Sequence, residues 1–300
     1  MEITFLGTSC MVPTKERNVA GVYLSYKNEG VLFDCGEGSQ RQMNICGIKR
    51  NSVTKICVSH WHGDHVSGII GLIQTIGNSV DETPKLEIFG PVGTTMRMKH
   101  LMNSCIFENK VDIRITELSP KEVETFYETE EYLIECAPMK HSVPCLAYSF
   151  IVKEKQNIDP SLLKKHNIQP GPHLADIKAG KSIVVDGKTI TAEDLTYTVN
   201  QKKVTYITDT RPNKFCALIA EEADALIIDA TYAADLADRA EKYDHLSCNE
   251  SAHIASQAGV KKLVLTHFSQ RYKNTQQIEE DARMIFDNVV CAKDFMRIPI

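Results

Sequence analysis

The stretch that most constrains this chain is Ser59-His60-Trp61-His62-Gly63-Asp64-His65, which follows directly on the apolar strand pattern TKICV. Three histidines and an aspartate fall there within six positions. Neutral imidazole and carboxylate together are the ligand types that suit zinc. His60 and His62 can face one ion from a single turn. Asp64 and His65 can then face a second, with Gly63 expected to bend the loop sharply between the pairs. Burying four such groups without a metal would leave several polar atoms unpaired, at about 1–3 kcal/mol each. The loop therefore calls for a fold that brings more ligands to it, and the rim of a sheet, where strands end, is the natural place.

The rest of the chain offers ligands in such positions. His141 follows the strand pattern EYLIECAPMK, Asp209 ends KVTYITD and His267 ends KKLVLTH. Singly, Asp209 and His267 would be unremarkable turn residues. With the cluster they complete two coordination shells. His60, His62, His141 and Asp209 are expected to hold one ion, and Asp64, His65, Asp209 and His267 the other, with the Asp209 carboxylate bridging both. Two ions about 3.5–4 Å apart acidify a shared water and clamp both oxygens of an in-line phosphoryl displacement. The departing alkoxide needs a proton. His245, in YDHLSC, is the best donor left over, and Asp229, in LIIDATY, the best group to orient it.

Composition narrows the setting. The chain has 300 residues, 43% hydrophobic and 24% charged, which suits a globular core that needs no disulfide staples. Its ten cysteines form no Cys-x-x-Cys and read as free thiols. The opening MEITFLGTSC reads as a strand entering a glycine turn rather than a leader. No apolar run reaches the length of a membrane span. These features together predict a cytoplasmic protein. A net charge of −5 argues against indiscriminate coating of nucleic acid, but local basic patches can still bind RNA.

Strand patterns (EITFLG, GVYLSY, GVLFDCG, KLEIFG, LAYSFIV, ADALIIDATY) alternate with helical ones (VSGIIGLIQTIG, GTTMRMKHLMNS, CNESAHIASQAG, NTQQIEEDARMIFDN). That order predicts an α/β sandwich. Residues 153–195, rich in Lys, Gly and Pro, read as an inserted flexible arm within a single domain spanning 1–300.

SHWHGDH resembles the HxHxDH signature of the metallo-β-lactamase superfamily, whose fold is a four-layered αβ/βα sandwich. Within that superfamily the chain resembles the ribonuclease Z family in its short form. The resemblance rests on FLGTSCMVPTKERN, DCGEGSQRQM at 34–43, HGDHVSGIIGL, HFSQRY at 267–272 and IQPGPHLADIKAG at 168–180. It implies an endoribonuclease that removes the 3′ trailer from precursor tRNA by attack of a metal-bound hydroxide, leaving a 3′-hydroxyl on the tRNA and a 5′-phosphate on the trailer. It implies two Zn²⁺ per subunit, with Mn²⁺ or Fe²⁺ as substitutes, and a homodimer. Asp64 would also accept a proton, His245 would serve the leaving group, and Arg17 and Asn18 would lie near the RNA end. Gly171, Pro172 and Lys178 would belong to an arm that grips the tRNA body, which makes the protruding arm a tRNA-binding exosite. Where the family often has His-Glu-Ala-Thr, this chain has Ile228-Asp229-Ala230-Thr231. The carboxylate is one methylene shorter, so its contact with His245 is expected to be long or bridged by water. Other classes are weighed beside this one: another binuclear phosphodiesterase, an arylsulfatase-like or thioester hydrolase on the same fold, or a metal-dependent RNA-binding scaffold without catalysis.

Overall fold

The computed structural model describes residues 1–78, 83–169, 171–178, 180–185 and 187–300. Two seven-stranded sheets carry the site. The first runs, from edge to edge, Arg297–Pro299, Glu2–Gly7, Gly21–Tyr26, Glu29–Phe33, Lys55–Cys57, Lys85–Pro91 and Asp112–Leu118. The second runs Val289–Cys291, Leu263–Thr266, Ala225–Asp229, Lys202–Ile207, Cys145–Val152, Tyr132–Met139 and Glu124–Glu128. The first mixes antiparallel and parallel pairings. Glu29–Phe33, Lys55–Cys57, Lys85–Pro91 and Asp112–Leu118 are parallel, as are Lys202–Ile207, Ala225–Asp229, Leu263–Thr266 and Val289–Cys291.

Alternation along the strands explains the layers, because successive side chains point to opposite faces. In the first sheet, Leu32, Ile56, Leu86 and Ile88 pack with Ile69, Leu72, Ile73 and Ile76 of the helix Ile69–Gly77 and with Met98 of the helix Thr94–Met102. In the second, Leu226, Ile228, Leu263 and Leu265 pack with Ala252 and Ala255 of the helix Cys248–Ala258 and with Ile278 of Gln276–Arg283. The opposite faces meet each other. Phe33 stacks on Tyr206 with ring centroids 5.4 Å apart and leans on Tyr148 at 6.3 Å. Helices thus cover the outer face of each sheet, giving the expected αβ/βα sandwich. The helix Cys248–Ala258 begins with a capping box between Ser247 and Glu250 and ends at Gly259 in a left-handed conformation.

Residues Ile151–Lys202, with Thr129–Leu133, form a second compact unit. The pairing of Lys155–Ile158 with Thr196–Val199 closes its base. Its own small core consists of Leu163, Ile168, Ile177, Ile190 and Leu195. Asp159 caps the helix Pro160–Lys165 by accepting from the Ser161 amide.

Candidate metal centre

Several of the predicted ligands stand just past the C-terminal end of a parallel strand, where open α/β sheets place their sites. Lys55–Cys57 leads to His60, Lys202–Ile207 to Asp209, and Leu263–Thr266 to His267, while Asp229 closes its own strand. The register sets Asp229 beside Thr266 and Ile207 beside Ile228, so these ends lie level. The bend between the two ligand pairs differs from expectation. Gly63 is not among the glycines with positive φ. It opens a four-residue helix, Gly63–Val66, and a Cβ there would meet only Ser67 Oγ at 3.5 Å. One helical turn, rather than glycine's freedom, separates His62 from Asp64 and His65.

The seven predicted ligands converge. His60 Nε2 lies 2.9 Å from His62 Nδ1, and His62 Nδ1 lies 3.4 Å from His141 Nε2. Asp209 Oδ2 stands 3.7 Å from His60 Nε2 and 3.9 Å from His141 Nε2. On the other side, Asp209 Oδ1 is 3.5 Å from His65 Nε2. Asp64 Oδ2 is 3.4 Å from His65 Nε2 and 3.5 Å from His267 Nε2. Two atoms bound at about 2.1 Å to one tetrahedral ion stand roughly 3.4 Å apart, so the spacings match those of shared coordination. The two oxygens of Asp209 face different groups, as a bridging carboxylate requires.

The donor chemistry fits cations as well. The Nε2 atoms of His65 and His267 are buried and have no hydrogen-bond partner among the described residues. Tautomers are fixed from behind. Asp34 Oδ2 receives His65 Nδ1 at 2.8 Å and the Ser59 hydroxyl at 2.7 Å. The Ser59 oxygen in turn lies 3.0 Å from His60 Nδ1. With Ser59 donating to Asp34, His60 Nδ1–H donates to Ser59, so in the neutral rings the Nε2 atoms of His60 and His65 carry lone pairs facing the site. His141 Nδ1 is held likewise by the Asp244 carbonyl at 3.1 Å.

Electrostatics agree. Burial lowers His60 well below the ordinary histidine range, and the His65 imidazole pushes the same way. Burial would also lower His65, but the carboxylates of Asp209, Asp34 and Asp64 outweigh it and raise it to about 10. Asp209 is held well below the carboxylate range, against its burial, by His267 and His65. In this state protons neutralise the carboxylates, and metal ions bind such ligands by displacing protons.

His245 and Asp229 form a pair beside this cage. His245 Nδ1 lies 3.1 Å from Asp229 Oδ2, a direct contact, so the long or bridged contact expected from the shorter side chain does not occur. The Leu246 amide, at 3.1 Å, and the Thr231 hydroxyl, at 2.6 Å, bring Asp229 into place. Burial opposes the charge on His245, but Asp209 and Asp229 raise it to about 11.

The other expected residues are placed as follows. Arg17 donates to the Tyr272 carbonyl and lies over the Phe268 ring, and the Asn18 side-chain Nδ2–H donates to the Glu37 carbonyl at 2.7 Å. Both are therefore held within the chain. Gly171 and Pro172 border a cavity of about 660 Å³ inside the second unit, lined also by Leu163, Leu174 and Tyr197. Lys178 ends the helix Leu174–Lys178, and its side chain lies outside the described residues. Three contributors went unread in the sequence. Asp34 opens the DCGEG stretch and turns at φ 56°, an uncommon conformation for a non-glycine residue that could have flagged it. Thr231 links Asp229 to the His267 carbonyl. The Met11 amide donates to Asp64 Oδ2 at 2.8 Å, and no local pattern marks it.

A protein named Ribonuclease Z from Methanothermobacter thermautotrophicus is 38% identical to this chain, over all of it and 97% of the relative. The chain belongs to the ribonuclease Z family. A Ribonuclease Z from Methanosarcina acetivorans is 36% identical, over all of this chain and 98% of its own length. The family model described as Anti-Pycsar protein Apyc1 matches residues 1–162, and so this ribonuclease Z family chain belongs to that grouping too. The match takes in five of the seven ligands and leaves out Asp209 and His267. Among solved structures, human tRNase Z, short form, superposes with a TM-score of 0.75 at 26% identity, covering all of this chain and 99% of that one. The metallo-beta-lactamase fold protein YhfI from Bacillus subtilis reaches 0.70 at 18% identity, covering 99% of this chain and 98% of that one, a likeness of fold.

Proposed function

We propose that the chain is a metal-dependent endoribonuclease that removes the 3′ trailer from precursor tRNA, leaving a 3′-hydroxyl on the tRNA and a 5′-phosphate on the trailer. The observation that carries this reading is the bridging geometry of Asp209, whose two oxygens face two separate groups of imidazoles. Full-length relatives named Ribonuclease Z support the substrate.

His60, His62, His141 and Asp209 would hold one ion, and Asp64, His65, Asp209 and His267 the other. Zn²⁺ suits this histidine-rich set best, with Mn²⁺ or Fe²⁺ as substitutes. When bound, such an ion pair acidifies a water and neutralises charge developing on the scissile phosphate. Asp64, fixed by the Met11 amide, accepts the proton from the attacking water. His245 donates its proton to the departing oxygen. With Asp209 engaged in coordination, Asp229 is the carboxylate that keeps the His245 proton in place and aims it. The loop of Arg17 and Asn18 lies near the RNA end, and the unit built around Gly171, Pro172 and Lys178 binds the tRNA body as an exosite. A homodimer in which one subunit's arm serves its partner completes the proposal. Ten cysteines and no disulfide pattern support a reducing, cytoplasmic setting.

The test is to incubate the purified protein with a precursor tRNA, with and without chelator, and to map the ends. Cleavage after the acceptor stem that yields a 3′-hydroxyl and disappears with chelator is expected. Chelator-resistant cleavage, or none with metals restored, overturns the reading.

A further inference from the structure

The loop Thr8–Asn18 is held in a demanding shape. Met11 sits at its tip with φ 58°, a left-handed conformation uncommon for a side chain of this size, and is 74% exposed. Its own packing cannot hold it there, yet its amide donates to Asp64 Oδ2 at 2.8 Å. Conformations of this kind persist where the surroundings fix the backbone on either side.

The fixing contacts converge on one carboxylate far away in sequence. Asp294 Oδ1 accepts from the Thr8 hydroxyl at 2.8 Å, at one end of the loop. Its Oδ2 accepts from the Asn18 amide at 2.7 Å, at the other end. The same oxygen accepts from Gln42 Nε2 at 2.9 Å, and Gln42 also donates to the Leu6 carbonyl at 2.8 Å. Gln42 belongs to the helix Ser39–Ile45 that follows the DCGEG turn. The loop closes on itself across this anchor, since the Thr8 and Ser9 amides both donate to the Asn18 carbonyl, at 2.9 and 2.8 Å. Beyond it, Phe268 donates its amide to the Thr8 carbonyl at 2.8 Å, next to the ligand His267. A single side chain thus ties the two ends of the loop to the helix Ser39–Ile45.

We propose that Asp294 is a positioning residue, which fastens the ends of the loop Thr8–Asn18 to the helix Ser39–Ile45 and so delivers the Met11 amide to the Asp64 carboxylate. The inference rests on the phosphodiesterase reading above for its effect on turnover, and on geometry alone for its effect on the loop. Arg17 from the loop and the Cys46 thiol past the helix act on Asp294 through their charge. A cavity of about 690 Å³ beside it is lined by Glu16, Lys273, Glu279 and Lys293 among others. Burial raises the Asp294 carboxyl to about 6, against the Asn18 amide and the Thr8 hydroxyl. Below that pH it carries a proton where three donors need acceptors, and the fastening weakens.

Asp294→Asn and Asp294→Glu test this in the metal-loaded full chain. With bis(p-nitrophenyl) phosphate as substrate, Asp294→Asn is expected to lower kcat about tenfold with KM within twofold and bound metal unchanged by elemental analysis. It should also remove an acid limb near pH 6, and Asp294→Glu should restore part of the rate. Independently of activity, hydrogen exchange at the Met11 amide should speed up at least tenfold while the strand Glu2–Gly7 stays protected. Unchanged exchange and unchanged kcat overturn the inference, as does a fall in kcat matched by loss of metal. A wild-type protein that fails to cleave the diester sinks the phosphodiesterase reading instead and leaves the exchange result to decide the role of Asp294 in the loop.

Discussion

Asp64 is asked to do two things at once. Its Oδ2 faces His65 and His267 at ligand spacing, and the same oxygen receives the Met11 amide. On the proposed mechanism Asp64→Ala removes a ligand and a proton acceptor together. Turnover of precursor tRNA should fall roughly 100-fold or more, with substrate affinity changed far less and metal content reduced. Near-normal kcat would mean that another group takes the proton. The His245–Asp229 pair makes a different prediction. Asp229 raises His245, so Asp229→Asn lowers it, and the protonated donor is lost at a lower pH. The high-pH limb of the kcat profile should move downward, which a pH series would measure; an unmoved limb argues that His245 is not the donor. These residue roles divide by how local their signals are. The proposed ligands in SHWHGDH share one loop, and spacing alone picked them out. Asp34 acts on His65, 31 residues on, and Thr231 joins its near neighbour Asp229 to the His267 carbonyl, 36 residues away, so no short spacing rule reaches either role.

At the scale of elements, strands with strong apolar periodicity such as Glu2–Gly7 and Gly21–Tyr26 were legible to the residue, while the helix expected over 274–288 spans only Gln276–Arg283. The strand Asp112–Leu118 was not, because it is an edge strand whose alternating charges leave most of it exposed. The helix Ser39–Ile45 was missed because SQRQMNI carries only two apolar residues in seven. The inserted unit bears its own core and closes through Lys155–Ile158 and Thr196–Val199. This pairing tells where to cut. Removing 159–194 and rejoining the paired strands leaves the base intact. That variant should lose most precursor-tRNA cleavage, read as a rise in KM, and should keep its rate on a small chromogenic diester. Equal loss on both substrates would count against an RNA exosite and favour another hydrolase of the same fold.

For the whole molecule, metal removal should couple the site to stability. In the stripped protein His65 is raised from 6.5 to about 10 and His245 to about 11, each by buried carboxylates. A raised folded value means that the folded state holds protons which the unfolded chain has released above about pH 6.5. This stabilisation is fully present below pH 6.5 and is lost as pH rises towards 10–11. The melting temperature of the chelated protein should therefore fall steadily between pH 7 and pH 10, whereas the metal-loaded protein should fall less. Parallel curves for the two forms would show that the cage is not what titrates.

By itself the sequence determined which residue types cluster, the loop that carries four of them and the strand ends that supply the rest, because these depend on short spacing and apolar periodicity. Tertiary structure alone decided that the two Asp209 oxygens face different groups, that His245 meets Asp229 directly, and that a half-buried carboxyl at position 294 anchors a loop ending at residue 18. Those outcomes depend on strand register and on side chains hundreds of residues apart meeting within 3 Å. Backbone pairing across whole sheets fixes such distances, and no local pattern encodes them.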